Sequence, residues 1–417
     1  MSQTVKNYSL RLLMIIFIGS LSVQKMGVSS QVFKLLDWLT LLSSLSVLGI
    51  AIYIKKDKFK IYFEWIDLLY FAFLFSVGIS YFANPDQNIF YYFRAFVLNY
   101  LMLSLAVRNI PEYLNPKLFL TTAITVYLPL MAVHLYYNPA IFSSEAYQGI
   151  FHNPNVLGVY SLTPAVLTLG LFFSKIAKEK YLGAIFYFLL VALFSYLVII
   201  SRSRTAVMAL FLSVILAIAI YMKTFLDNVD KRQRGFLIFL ILLSLPLLYL
   251  ILKDSAIALV IKENVIDKFA FQLGRSRLLS GRERIWRYYL SSSHLFKSEI
   301  RTVRNLISLS PHNAFIEVIS RFGQVAGFFY ISYWLLSIKN LITYTFSKIG
   351  KDDYLPFYMM AIISFVSAGT MEIVTYHPLM YLAMYASSRI LLNDENKDEN
   401  KDEKSITLSD MKSKIRS

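Results

Sequence analysis

An all-α, polytopic membrane protein of about twelve spans is the fold class this sequence predicts, and three observations predict it. Hydrophobic residues make up 57% of the 417-residue chain and charged residues only 16%, with a mean hydropathy of +0.54. That is more apolar surface than one soluble core absorbs. The apolar runs are also long, and about 20 such residues cross a bilayer as a helix with every backbone group satisfied internally. Finally, the runs do not alternate over about 10 residues as membrane-barrel strands do, which sets a β-barrel aside.

The spans follow in order. Arg11–Gly27 begins after Lys6 in the manner of a signal peptide, but no small-residue cleavage site precedes Lys25, so it reads as a retained helix. Phe33–Ile54 is ended by Lys55, Lys56, Lys58 and Lys60. Trp65–Ala83 and Ile89–Val107 are joined by 84–88, which has no basic residue, and Arg108 closes the pair. Lys117–Tyr137 leads into 138–154, again without lysine or arginine. Lys175, Lys178 and Lys180 separate Asn155–Ser174 from Tyr181–Ile200, and Lys223, Lys231, Arg232 and Arg234 separate Thr205–Met222 from Gly235–Leu252. Val325–Tyr344 and Tyr354–Val374 enclose Lys348 and Lys351, and Pro378–Leu392 is the last span.

Twelve spans put both termini on one side. The basic short loops all fall on that side, so the termini are expected in the cytoplasm. The formal net charge of +16 is largely this topological signal and calls for no nucleic-acid partner. Cysteine is absent, which removes disulfides, thiol catalysis and cysteine-ligated metals.

The expected organisation is therefore spans one to nine over 1–252, an outward loop over 253–324, three further spans over 325–392 and a cytoplasmic tail over 393–417. The loop mixes apolar stretches such as Ile257–Ile261 with Arg275 and Arg277, a pattern suited to short helices on the membrane surface. The tail, with its near-repeat of Asn, Asp, Glu and Lys, has no apolar period and reads as a solvated end.

Three outward segments carry cations or a histidine where topology does not need them. They are Ser201-Arg202-Ser203-Arg204, Gly281-Arg282-Glu283-Arg284-Ile285-Trp286-Arg287, and Pro311-His312-Asn313. Together with Phe151-His152-Asn153-Pro154-Asn155 and the run Ala314-Phe315-x-Glu317 followed by Gly323 and Gly327, this order of motifs resembles the O-antigen polymerase and O-antigen ligase superfamily over roughly residues 150 to 330. The resemblance implies a glycosyltransferase of the GT-C type at the outer face of a bacterial inner membrane, acting on undecaprenyl-diphosphate-linked sugars. It implies membrane lipids, a flippase and a chain-length regulator as partners. By the same resemblance, Arg204 and Arg282 match the family's essential arginines and His312 its essential histidine. Arg202, Arg284, Asn313, Arg94 and His152 join them as candidate substrate-binding residues.

The chemistry agrees with those residue types. A sugar leaving as a lipid diphosphate sheds charge onto phosphate oxygens, which guanidinium groups bind through paired hydrogen bonds at any working pH. The attacking hydroxyl loses a proton, and neutral imidazole suits that task near pH 7. His312 follows Pro311 at an expected helix start, whose positive dipole end favours the neutral ring. Direct attack would invert the anomeric centre.

Plainer readings stand beside these. Arginines at span ends also act as snorkelling anchors, the alternative for Arg202. Arg94 lies inside a span, either lining a polar route or paired with a buried acid such as Glu372. His134 is expected as a core residue, His294 in a loop and His377 at the interface, while Glu317 faces solvent or an arginine. No cofactor is expected. The outward acids Glu145, Asp254, Glu263, Asp267, Glu283 and Glu299 lack ligand spacing for a metal. A secondary transporter fits poorly, because Lys55-Lys56-Asp57-Lys58-Phe59-Lys60 lacks the glycine of the usual basic loop motif and matched broken helices are missing. The expected activity is polymerisation of repeat units, with ligation of the finished glycan to lipid A core as the alternative.

Overall fold

The computed structural model describes residues 3–24, 28–83, 87–137, 147–148, 151, 153–178, 180–228, 262, 267, 282–296, 311–349, 351–372, 374 and 377–392. Among these the chain is helical throughout and contains no β-strand. The helices are α1 (Gln3–Gln24), α2 (Ser30–Lys55), α3 (Trp65–Ala83), α4 (Gln87–Tyr100), α5 (Pro116–Tyr137), α6 (Pro154–Ala177), α7 (Tyr181–Ile200) and α8 (Arg204–Asn228). After the long loop come α9 (Arg282–Ser291), α10 (Ala314–Phe322), α11 (Gln324–Lys348), α12 (Leu355–Gly369) and α13 over 378–392.

Eight described helices are long and apolar enough to cross a membrane, and two shorter ones, Arg204–Ile220 and Leu355–Gly369, are similarly apolar. This is the build of a multi-pass membrane protein. The expected span Gly235–Leu252 and the tail lie outside the described residues. Several expected boundaries move, and the helix expected to end at Met222 runs on to Asn228. The first helix starts at Gln3, so Lys6 sits on the helix rather than before it. The helix expected over Tyr354–Val374 stops at Gly369, and a turn over 370–372, in which Met371 N–H tightens onto Ala368 O, follows it.

Burial sorts the helices into inner and outer. In α6, 89% of the most apolar stretch is buried, against 28% in α7. The first is the central helix, packed against α5, α7, α8 and α12. The second is apolar all round yet presents Leu182, Ile185, Phe186, Phe188 and Leu189 outward, which suits a lipid-facing surface. Rings fill the interior: Phe119 stacks on Tyr385 at 3.8 Å between centroids, and Trp334 lies against Phe365 at 4.2 Å.

The end of the bundle carrying the 55–64 and 107–115 segments is closed by a buried charge cluster. A π-helical stretch, Leu101–Ala106, follows α4 and shifts the register of what comes next. Arg108 then reaches Asp67 at 2.8 Å with both side chains inside, meets Glu64 and lies 3.7 Å over the Tyr62 ring. Tyr100 donates to Asp67 at 2.7 Å. An arginine that reads as a topology signal in the sequence is thus a structural tie between α3 and α4.

Candidate active site

The opposite end brings together segments far apart in the chain. The N-terminus of α6 is capped by Asn153, whose side chain accepts from Asn155 N at 2.8 Å, with Pro154 in the first turn. One turn later Gly158 lets another segment approach closely: a Cβ there would meet Ser201 Oγ and Ser203 Cβ at 2.5 Å. The chain reverses at that point from α7 into α8. Ser201 Oγ donates to Val198 O at 2.7 Å and accepts from Ser203 N at 3.2 Å. Ser203 Oγ in turn accepts from Ala206 N at 3.4 Å, so it caps α8. Between the two serines Arg202 takes a left-handed conformation (φ 55°), and Arg204 opens α8.

Arg282 opens α9. Its Nη1 donates to Met371 O, and its Nη2 lies 3.3 Å from Glu372 Oε1. Arg204 and Arg282 are within electrostatic range of one another. Trp286, one turn beyond Arg282 on the same helix face, donates from Nε1 to Pro311 O at 2.6 Å and so joins α9 to the segment that carries His312.

His312 has a left-handed backbone (φ 47°) and lies two residues before the first residue of α10, not at the helix start itself. Its Nδ1 is 3.0 Å from Glu372 Oε2. A carboxylate at that atom selects the tautomer in which Nδ1–H donates, leaving Nε2 as the ring's acceptor. The ring is 33% exposed while the Glu372 side chain is only 12% exposed, so a substrate can reach the imidazole but not the acid that orders it. Asn313 caps α10: its Oδ1 accepts from Phe315 N at 2.9 Å and Ile316 N at 3.0 Å. Its amide also donates to Thr370 O at 2.9 Å. Those bonds make it the tie between α10 and the 370–372 turn.

Two glycines hold α10 in place. Gly323 (φ 90°) breaks the chain between α10 and α11, where a Cβ would sit 2.5 Å from Leu295 O, and Gly327 admits Ile319 to 2.1 Å of the Cβ position. Helix α10 buries Ala314, Ile316, Val318 and Phe322, so it is a packed helix rather than the surface helix expected of this loop. Glu317 is buried on it and pairs with Arg321 at 2.9 Å, the arginine contact anticipated for it. Arg321 lies 4.8 Å over the Tyr92 ring. Tyr289 of α9 sits in the same group. Burial, then Tyr288, raises its hydroxyl against the pull of Arg321, so it stays protonated at working pH.

The expected residues are thus partly assembled. Arg204, Arg282 and His312 come together at one end, with Arg202 in the adjoining turn. Arg284 lies on the exposed side of α9. His152 lies outside the described residues. Arg94 pairs with Asp37 of α2, not with Glu372, because Glu372 is held elsewhere by Arg282 and His312. Nor is Glu372 an acid inside a span; it sits in the turn beyond α12. His134 is packed in the core, stacked on Phe151 at 4.8 Å, and His377 is buried beside Tyr160.

Sequence reasoning missed Glu372 as a member of this group. The available signal was an acid at the end of an apolar run, on the side expected to carry surplus cations. No known family model matches the chain, and no curated protein resembles it at a significant level.

Proposed function

We propose that this protein is a glycosyltransferase that polymerises lipid-diphosphate-linked oligosaccharide repeat units, such as those of O-antigen, capsule or exopolysaccharide. The observation that carries the reading is the single carboxylate of Glu372, which touches His312 Nδ1 with one oxygen and Arg282 with the other, with Arg204 close by. A base and one guanidinium group are thereby held by one carboxylate, and the second guanidinium, Arg204, is near enough to Arg282 to feel its charge.

In the proposed reaction the acceptor sugar hydroxyl gives its proton to His312 Nε2 as its oxygen bonds to the donor's anomeric carbon. The bond from that carbon to the diphosphate oxygen breaks, and the electron pair leaves with the lipid diphosphate. Arg204 and Arg282 neutralise the charge that builds there, in the place a divalent cation would otherwise take, and attack from the far face inverts the anomeric centre. We place the reaction at the outer face of a bacterial cytoplasmic membrane, in a GT-C-type enzyme of twelve spans with both termini inside. The distribution of lysine and arginine supports that orientation, and the motif order supports the family. Arg202 lies in the same turn as Arg204 and belongs to the diphosphate side of the site.

A lone lipid-diphosphate-linked repeat unit contains both donor and acceptor for a polymerase. Purified protein given that substrate should produce a ladder of lengths. If the substrate stays unchanged until lipid A core is added, and sugar then moves to the core, the activity is ligation.

A further inference from the structure

Helix α9 carries arginines on two sides. Arg282, Trp286 and Tyr289 recur at turn spacing and face the protein: the first meets Glu372, the second Pro311 O, and the third the neighbourhood of Arg321 and Glu317. Arg284 and Arg287 project on the other side, both exposed, and among the described residues no carboxylate pairs with either. They are three residues apart, so their Cβ atoms lie about 5–6 Å from each other on one face. A depression of about 270 Å³ runs from these arginines round the helix to Tyr289, with Arg284, Ile285, Arg287, Tyr288, Tyr289 and Ser291 among its lining.

We infer that this outer face of α9 holds a second lipid diphosphate, that of the acceptor. The inference rests on the polymerase reading, in which donor and acceptor each bring a diphosphate while Arg204 and Arg282 serve only the one that leaves. The acceptor attacks with the sugar farthest from its lipid, so its diphosphate belongs about one repeat unit away from the reacting carbon. The far side of α9 is displaced from Arg282 by one helix diameter, about 10–12 Å, which is the length of a few sugars. Two guanidinium groups on one face offer paired donors to the oxygens of two linked phosphates. Tyr288 and Ile285 supply apolar wall beside them, where a polyprenyl chain or sugar ring can rest.

The test is stoichiometry together with kinetics. The full-length protein in phosphatidylcholine nanodiscs is titrated with geranylgeranyl diphosphate, and the same preparations are assayed for extension of a lipid-linked repeat unit. Wild type should bind two equivalents, Arg284→Gln/Arg287→Gln one, and Arg204→Gln/Arg282→Gln one. In the first variant extension should need at least about tenfold more substrate, since one charge-assisted hydrogen bond is worth that factor. The loss should be recovered at high concentration. Wild type that binds one equivalent yet extends the substrate overturns the second site and leaves the polymerase reading intact. Wild type that binds two but extends nothing overturns the polymerase reading and, with it, the acceptor role. Unchanged binding and kinetics in Arg284→Gln/Arg287→Gln, with only attachment to phosphatidylglycerol vesicles weakened, makes this face a headgroup contact and also overturns the proposal.

Discussion

Replacing Glu372 by glutamine should remove most activity while keeping the fold, and the reason lies in how many acceptors the side chain has. The carboxylate serves Arg282 with Oε1 at 3.3 Å and His312 with Oε2 at 3.0 Å. Glutamine has one carbonyl oxygen. The guanidinium can only donate, so the carbonyl turns to Arg282 and the amide N–H₂ to His312 Nδ1. That forces Nδ1 to accept and puts the proton on Nε2, which can then no longer take one from a hydroxyl. At these separations a charge pair is worth about 5 kcal/mol gross at an effective dielectric near 20. The net loss for one hydrogen bond to a charged group is about 1.5–3 kcal/mol. That bond alone is roughly ten- to a hundredfold in rate, and a full tautomer reversal of a catalytic histidine costs on the order of 10⁴.

The expected fall in kcat therefore lies between about 10² and 10⁴. Glu372→Asp keeps both oxygens but falls short by one carbon–carbon bond, about 1.5 Å, a displacement that costs about 10². The ranking should be Glu, then Asp, then Gln. It is measured as the initial rate of ladder formation from a lipid-linked repeat unit, with thermal unfolding in detergent as the check on the fold. A Gln variant retaining half the wild-type rate, or one faster than the Asp variant, would refute the reasoning.

Other substitutions probe the rest of the structure. Arg204→Lys and Arg282→Lys should each cost about a hundredfold or more in kcat, and activity in excess chelator should persist; loss restored by a divalent ion contradicts the metal-free assignment. Gly158→Ala puts a methyl 2.5 Å from Ser201 Oγ and Ser203 Cβ, so it should displace the turn bearing Arg202 and Arg204 and lower activity. Gly78→Ala, with nothing within 4 Å of its Cβ, should be neutral or stabilising by up to about 1 kcal/mol, which a paired melting experiment distinguishes. Asp67→Asn should destabilise by about 1.5–3 kcal/mol, because Arg108 loses a charged partner while Glu64 still pairs with it; a melting temperature equal to wild type is the contrary result. A single cysteine at Ser292 should react with an impermeant thiol reagent on spheroplasts and one at Lys58 should not, against a background without native cysteine.

The parts of the molecule that were legible in the sequence are those decided locally. Span length and apolarity need only a window of about 20 residues, and seven of the expected spans overlap described helices long and apolar enough to cross, all but the first agreeing within a few residues and the first beginning earlier, at Thr4. The helix at 324–348 brings them to eight, its apolar core having been read as Val325–Tyr344. The caps are decided just as locally, although the sequence reading put the second helix start at His312: Asn153 and Asn313 precede helices because their side chains satisfy N–H groups two or three residues on. What the sequence withheld were pairings across long separations. Glu372 meets Arg282 from 90 residues away and His312 from 60, and Arg94 finds Asp37 from 57. Charge balance says that a cation inside an apolar helix needs an acid, but several acids are available and only packing chooses. For Arg94 the choice went to α2 because α4 lies against it. Glu372 meets His312 and Arg282 instead, the two groups that in the proposed transfer take the hydroxyl proton and the charge of the departing diphosphate.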